Sequence, residues 1–276
     1  MGATSRDFLL GDDPALVLAA DAPALDPAPP RAAATVMLVR DDEGPLEVFM
    51  LRRTSTMAFA PSRHVFPGGG VDPRDASETP WAGPAPQEWA ERLGTDEAHA
   101  RMLLAAAVRE VFEETGVLLA SSATDPDAEP VVLPPTEADR LRAALVAKEV
   151  SLGEVLLERH LVLRSDLLSA RGRWVTPTFE RRRYDTWFFL AALPAGQVPD
   201  GATSEATSSG WERPATLLDE HARGGSALMP PTVVMLESLA AVSTVAEACD
   251  TRVDVEVVEP TLVLTDAGPA IRVEEP

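Results

Sequence analysis

The apolar positions of this chain switch between the two-residue period of β-strands and the 3.6-residue period of α-helices. Apolar runs at residues 34–40 and 46–53 predict two strands. The turn-forming segment 41–45, Asp-Asp-Glu-Gly-Pro, predicts that these strands form a hairpin. Residues 98–114 carry apolar side chains at helical spacing and predict one long helix.

Later segments repeat this alternation of strands and helices. The predicted helices are 136–148, 152–158, 214–222 and 231–248. The predicted strands are 161–163, 174–175 and 186–193, with three short ones in the tail at 253–258, 261–264 and 271–273. The helix predicted at 136–148 has an acidic start and a basic end, as the helix dipole favours. Strands flanked by helices indicate an α/β fold.

Composition along the chain suggests three parts. The predicted parts are an Ala/Pro-rich N-terminal arm (1–33), a main domain (34–248) with insertions near 76–100 and 120–160, and a C-terminal extension of short strands (249–276). Trp81 and Trp89 lie in the first insertion. They either attach the insertion to the core or cap a site, and attachment is the more common role of such residues.

One segment concentrates acidic side chains within the predicted helix 98–114. Glu110, Glu113 and Glu114 share a helical face because positions i, i+3 and i+4 are neighbours. Clustered carboxylates are suitable ligands for Mg²⁺ or Mn²⁺. The alternative is a solvated helix surface on which Arg109 pairs with Glu113 at i+4.

A glycine-rich turn upstream favours the metal-site interpretation. Residues 64–72, His-Val-Phe-Pro-Gly-Gly-Gly-Val-Asp, follow an apolar strand. Glycines allow the backbone to approach a ligand or metal closely where a side chain would intrude.

Together these residues resemble the signature of the Nudix hydrolase family. Gly69 matches the first glycine of that signature, and residues 109–117, Arg-Glu-Val-Phe-Glu-Glu-Thr-Gly-Val, match its second half. Asp75 stands where the signature has a glutamate, and the long segment 76–108 separates the two halves. This split arrangement is similar to the subfamily of RP2-like peroxisomal coenzyme A diphosphatases.

The resemblance extends over roughly residues 34–240. It includes residues 48–53, 58–61, 174–177, 182–189 and 205–211. It implies a Nudix α/β/α sandwich with a mixed central sheet and helical insertions.

The resemblance also implies roles for individual residues. Glu110, Glu113 and Glu114 would hold Mg²⁺ or Mn²⁺, with the backbone carbonyl of Gly69 as a further ligand. Arg109 would orient the glutamates through salt bridges. The catalytic base would come from Glu113, Glu114 or Glu205.

Substrate recognition is predicted from arginines and one aromatic residue. Arg52, Arg53 and Arg63 are the candidates for phosphate binding, and the run 181–183 is either a further cationic patch or a solvated strand end. Tyr184 is expected to line the substrate cleft, although aromatic residues on strands more often pack in the core. Against the coenzyme A signature Arg53 matches, whereas Leu51, Ala58 and Ser62 depart from it. The prediction is hydrolysis of a diphosphate linkage in a nucleoside diphosphate derivative, with CoA or acyl-CoA as the leading substrate.

Charge and cysteine content limit the partners. The formal net charge of −20 argues against nucleic-acid and anionic-membrane surfaces. The same charge repels phosphates, so the small phosphorylated molecule that the resemblance implies is expected to bind only where metal ions and local arginines reverse the sign of the field. Cys249 is the only cysteine, so an internal disulfide is excluded. A cytoplasmic location is expected because neither a secretory signal nor a peroxisomal tripeptide is recognisable. Nudix-like proteins often form homodimers. The alternative function is a Nudix-fold module that senses a ligand or binds a partner without catalysis.

Overall fold

The computed structural model describes residues 4–10, 27–41, 44–54, 63–202, 206–251 and 253–275. The strands in these ranges are β1 (Thr4–Leu9), β2 (Arg31–Arg40), β3 (Glu47–Arg53), β4 (His64–Val65), β5 (Gly68–Gly70), β6 (Trp81–Ala82), β7 (Ala120–Ser122), β8 (Leu161–Arg164), β9 (Ser169–Val175), β10 (Tyr184–Ala192), β11 (Ala206–Glu212), β12 (Val257–Val258), β13 (Thr261–Thr265) and β14 (Gly268–Glu275). The α-helices are α1 (Pro86–Leu93), α2 (Glu97–Thr115), α3 (Pro135–Val146), α4 (Leu152–Glu158), α5 (Pro214–Ala222), α6 (Pro230–Ala240) and α7 (Val245–Asp250). Within the described ranges, none of them is both long and apolar enough to cross a bilayer.

The central sheet contains both parallel and antiparallel pairs. Its order is β11-β3-β2-β10-β9-β12, with β4 beside β3 and β5 beside β2. Strand β10 runs parallel to β2, whereas β3 is antiparallel to it, with Val39 opposite Val48. The antiparallel pairing confirms the predicted hairpin.

Strand β2 sends alternate side chains to opposite faces of this sheet. Val36 and Leu38 join a core cluster with α2, whereas Met37 and Val39 join a second cluster with α5 and α6. All four side chains are fully buried. Because helices cover both faces, the strand carries a nearly continuous apolar run. The layers confirm the α/β/α sandwich.

The inserted segments form a helical layer with its own small sheet. The order of that sheet is β6-β8-β7, and α1, α3 and α4 pack against α2. Helix α4 has the predicted bounds, and α2 and α3 lie within two residues of theirs. The Trp89 ring is buried and packs edge-on against Phe189, so this residue attaches the first insertion to the core.

The two ends of the chain meet in a separate sheet of order β1-β14-β13. Strand β1 is antiparallel to β14, with Phe8 opposite Ile271. The apolar pattern did not predict β1, because its partner lies at the other end of the chain. The division of the chain into three parts stays a prediction.

Two elements in the last third differ from the prediction. The single helix 231–248 is wrong: it is divided into α6 and α7, because the Thr244 side chain accepts a hydrogen bond from the Glu247 amide and caps a new helix. The strand predicted at 253–258 is reduced to β12, and residue 252 lies outside the described residues.

Candidate active site

Helix α2 carries the three glutamates and has well-defined ends. The Asp96 side chain accepts a hydrogen bond from the His99 amide at the first turn. Gly116, with φ 77°, ends the helix and donates its N–H to the carbonyl of Phe112. Val111 and Phe112 are fully buried, so the face with Glu110, Glu113 and Glu114 is turned away from the core they occupy.

The glycine-rich strand β5 lies directly against this acidic face. It pairs with β2, with Gly69 opposite Ala34. The Gly68 N–H donates to Glu114 Oε2 over 2.8 Å. A Cβ atom on Gly69 would stand 2.6 Å from Glu110 Oε1, closer than carbon and oxygen can approach. The fold therefore joins two sequence segments that the first insertion separates.

Arg109 connects these groups. Its Nη1 donates to Glu110 Oε1 at 2.7 Å and to Glu113 Oε1 at 3.3 Å. Its Nε and Nη2 donate to the two Asp75 carboxylate oxygens, and Nη2 also reaches the Gly70 carbonyl. The Arg109 side chain is only 7% exposed, so these contacts are shielded from water. These are the contacts expected of a residue that orients the glutamates, a role that stays a prediction.

Burial changes the acidity of the cluster. Desolvation raises the pKa of Glu110 to about 7, against the opposing effect of Arg109. Desolvation also raises the pKa of Glu113, although Arg109 again acts in the opposite sense. Burial alone would lower the pKa of Arg109, but hydrogen bonds and charges from Asp75, Glu110 and Glu113 raise it. The positive charge of Arg109 therefore does not fully offset the effect of burial on the pKa of these carboxylates.

The donor set fits a divalent cation in its chemistry. Carboxylate oxygens are the hard ligands that Mg²⁺ and Mn²⁺ prefer, and Gly69 leaves a space beside Glu110 that a Cβ would fill. Among the described residues, however, no three acidic, histidine or cysteine side chains are already arranged to hold an ion. Glu110 Oε1 and Glu113 Oε1 accept from Arg109, and Glu114 Oε2 accepts from the Gly68 amide.

The acidic face opens into a cleft of about 880 Å³, large enough for a cofactor-sized ligand. Cationic side chains along its wall are Arg31, Arg53, Arg74, Arg109, Arg142 and Lys148. Large apolar side chains along the wall are Phe66, Trp174, Phe188, Met229 and Ile271. The wall therefore offers contacts for both anionic and apolar groups of a ligand.

The residues predicted to bind substrate occupy different places. Arg53 and Tyr184 line the cleft. Arg52 and Arg63 are not among the described residues that line it; Arg52 is exposed, and Arg63 donates to the Leu228 carbonyl. Glu205, the predicted loop base, lies outside the described residues.

Several cleft residues were missed from the sequence. Arg142 and Lys148 lie on or just after α3, in the second insertion. The available signal was the basic end of the predicted helix, which the helix dipole explained equally well. Arg31 and Ile271 lie outside the bounds predicted for the main domain, 34–248, so nothing in the nearby sequence indicated that they line the cleft.

Comparison with known proteins agrees with the geometry. Residues 90–239, more than half of the chain, match the family model described as the NUDT19 Nudix domain. This chain belongs to the Nudix hydrolase family. The matched segment contains Arg109 to Val117, the second half of the Nudix signature, or Nudix box.

Two curated relatives share this Nudix domain. Over 195 residues the chain is 31% identical to nudix hydrolase 7 of Caenorhabditis elegans. These residues make up 71% of this chain and 56% of that protein. Over 229 residues it is 25% identical to the acyl-coenzyme A diphosphatase NUDT19 of Xenopus laevis, covering 70% and 59% respectively. The chain thus spans less than two thirds of the length of either relative.

A solved Nudix structure matches most of the fold. The crystal structure of a NUDIX hydrolase from Alicyclobacillus acidocaldarius superposes with a TM-score of 0.67 at 28% identity. The match covers 84% of this chain and all of that one. The sandwich therefore belongs to an architecture already observed in this family.

Proposed function

We propose that this Nudix protein hydrolyses a diphosphate linkage in a nucleoside diphosphate derivative, with Mg²⁺ or Mn²⁺ as the metal cofactor. The observation that carries the proposal is the contact between the two separated halves of the box at the wall of the cleft. Gly68 and Gly69 lie against Glu114 and Glu110, although the sequence places them about 40 residues apart.

The chain's own residues would divide the work as follows. Glu110, Glu113 and Glu114 would hold the cation, with the Gly69 carbonyl as a further ligand. A bound divalent cation would neutralise charge on the phosphoryl oxygens and lower the pKa of an attacking water. Arg109 would keep the glutamates oriented through the contacts described above.

Proton acceptance would fall to a carboxylate near the attacking water. Glu113 and Glu114 are candidates because both line the cleft. Glu205 is the third candidate, predicted from the family resemblance alone. Glu205 is the one candidate that is not also a proposed metal ligand, so Glu205→Gln tests the assignment through the pH dependence of kcat. Loss of the ascending limb would assign the base to Glu205, and an unchanged ascending limb would assign it to Glu113 or Glu114.

CoA or acyl-CoA is the leading substrate class in this proposal. The Xenopus relative is named for acyl-coenzyme A diphosphatase activity. The lining of the cleft supports the same substrate class for this chain. Its cationic residues suit phosphates, and its apolar residues suit a pantetheine or acyl group.

A substrate panel tests the proposal. The purified chain is incubated with CoA, acyl-CoA, ADP-ribose, NADH, dinucleoside polyphosphates and nucleoside triphosphates, with Mg²⁺, with Mn²⁺ or with a chelator. We expect metal-dependent cleavage, with CoA compounds yielding a 4′-phosphopantetheine product. Tight binding of a panel member without any cleavage would instead favour the ligand-sensing module.

The proposal includes a cytoplasmic location and a homodimer. Fractionation of expressing cells tests the first, and light scattering of the purified chain tests the second.

A further inference from the structure

The guanidinium of Arg142, in the second insertion, lies against the C-terminal end of helix α2. Its Nε donates to the Glu113 carbonyl at 3.1 Å, and its Nη1 pairs with Asp200 Oδ2 at 2.7 Å. Its Nη2 donates to the Ala202 carbonyl at 3.3 Å. The side chain is 6% exposed. Arg142 therefore joins the insertion, the helix of glutamates and the loop at residues 200–202.

These contacts satisfy backbone groups that a helix end leaves without partners. The last four carbonyls of an α-helix have no partner within the helix. Gly116 donates to the carbonyl of Phe112, but the Val117 N–H turns to the Thr115 hydroxyl. The Glu113 carbonyl is then taken by Arg142, and the Thr115 carbonyl accepts from the Asp200 amide. The last helical turn is thus held from outside the helix.

Asp200 is itself fixed to this arrangement. Its Oδ1 accepts a hydrogen bond from the Ala202 amide at 2.8 Å, while Oδ2 contacts Arg142. Burial alone would raise the pKa of Asp200, but the hydrogen bonds from Arg142 and Ala202 lower it. The carboxylate therefore stays charged near neutral pH and keeps the guanidinium in place.

We propose that Arg142 is a positioning residue for the metal-binding carboxylates, acting through the backbone of the helical turn that carries Glu113 and Glu114. The inference rests on the proposed function. Glu113 supplies both the carbonyl that Arg142 holds and one of the carboxylates predicted to bind the cation. Glu114 follows directly, and its contact with the Gly68 amide depends on the same turn.

Matched variants separate positioning from simple stabilisation. Arg142→Met removes all three donations at similar side-chain length, and Arg142→Lys keeps the charge without the planar fork. Arg140→Ala, at an exposed position of the same helix, controls for charge. Arg164→Met removes a buried arginine that pairs with Asp166 away from the cleft and controls for lost stability.

The primary measurement is Mn²⁺ affinity without substrate, by calorimetry or electron paramagnetic resonance, combined with the thermal midpoint of each variant. We expect Arg142→Met to weaken Mn²⁺ binding on the order of 10-fold, as losses of supporting contacts do at metal sites. Arg142→Lys should lie between Arg142→Met and wild type. Arg140→Ala should bind as wild type, and Arg164→Met should lose thermal stability without losing affinity.

Wild-type affinity in Arg142→Met, together with a lowered thermal midpoint, would overturn the positioning role and leave the proposed function intact. Absence of Mn²⁺ binding by the wild-type chain would instead contradict the proposed function and this inference with it. If Arg142→Met does not fold, Asp200→Asn is used in its place. This variant weakens the contact that holds the Arg142 guanidinium and keeps a side chain of equal size. The same loss of affinity is expected there, and unchanged affinity in Asp200→Asn would overturn the inference.

Discussion

Asp75 and Arg109 form a buried, two-point ion pair between the short turn that follows the glycine-rich segment and the helix of glutamates. The distances are 2.8 Å from Nε to Oδ1 and 2.9 Å from Nη2 to Oδ2, with side chains 7% and 1% exposed for arginine and aspartate. Asp75 also accepts a hydrogen bond from the Asp72 amide. The shorter carboxylate in place of the usual glutamate therefore still reaches its arginine.

Breaking this pair should destabilise the protein strongly. Asp75→Asn leaves the buried guanidinium of Arg109 short of one countercharge, and we expect the free energy of unfolding to fall by about 3 kcal/mol. Urea denaturation measures the change. Asp219→Asn is the control, because Asp219 is 76% exposed and its pair with Arg223 is at the surface. Equal losses in both variants would contradict the special position of Asp75.

The two adjacent glycines Gly69 and Gly70 should respond differently to alanine. A Cβ at Gly69 would collide with the Glu110 carboxylate at 2.6 Å, whereas at Gly70 the nearest atom is 4.0 Å away. We expect Gly69→Ala to lower kcat/KM on the order of 100-fold, since active sites tolerate small displacements poorly. Gly70→Ala should stay within about 3-fold by the same reasoning. Similar effects of both substitutions would argue against close approach of the backbone as the reason for Gly69.

Lys148 should contribute to substrate binding and not to the chemical step. It lines the cleft, is 69% exposed, and its Nζ lies 3.0 Å from Asp72 Oδ2. Lys148→Met should raise KM by about 3- to 10-fold with kcat unchanged, as expected for loss of uniform binding. The difference should shrink at high salt because the charge is exposed. A fall in kcat with unchanged KM would contradict this role.

The pair of Arg164 and Asp166 predicts a pH-dependent contribution to stability. The hydrogen bond from Arg164 lowers the pKa of Asp166 below its ordinary value of 3.8, although burial opposes it. A depressed pKa in the folded state stabilises the protein above the ordinary pKa and loses this effect as the pH falls.

Comparison with Asp166→Asn tests this sign. The variant should be less stable than wild type at pH 7 by about 1 kcal/mol, a value that allows for partial solvent screening. The difference should shrink as the pH falls from the ordinary pKa of 3.8 through the lowered pKa of the folded state, where the wild-type carboxylate becomes protonated. Thermal unfolding at pH 7 and across this acidic range measures it, and a constant difference would refute the assignment.

Much of the sandwich could be predicted from local pattern. Helices α4 and α5 have the predicted bounds, because each has a clear start signal, Ser151 and Pro214 respectively, before its apolar positions. The glutamate stripe and the glycine turn were also recognisable, because their chemistry depends on short spacings. What the sequence could not show was their contact, which the fold creates across the first insertion.

Other features depended on contacts distant in sequence. Strand β1 pairs with β14 at the opposite end of the chain, and nothing in residues 4–9 identifies that partner. Arg142 is one of several basic residues on its helix, and only the fold places it beside Glu113. Arg52 and Arg53 are adjacent in the sequence, but side chains alternate along a strand, so one is exposed and the other lines the cleft.

The central claim is that the two halves of the Nudix box together form a metal-dependent hydrolytic site. Glu114→Gln tests this claim most directly. The substitution keeps the size of the side chain and its ability to accept from the Gly68 amide, but removes the negative charge. The measurement is turnover of the best panel substrate at saturating Mg²⁺ or Mn²⁺, with thermal unfolding to check the fold. Loss of metal-dependent turnover with an unchanged thermal midpoint is the predicted result. Undiminished turnover in the folded variant would contradict the assignment of the site.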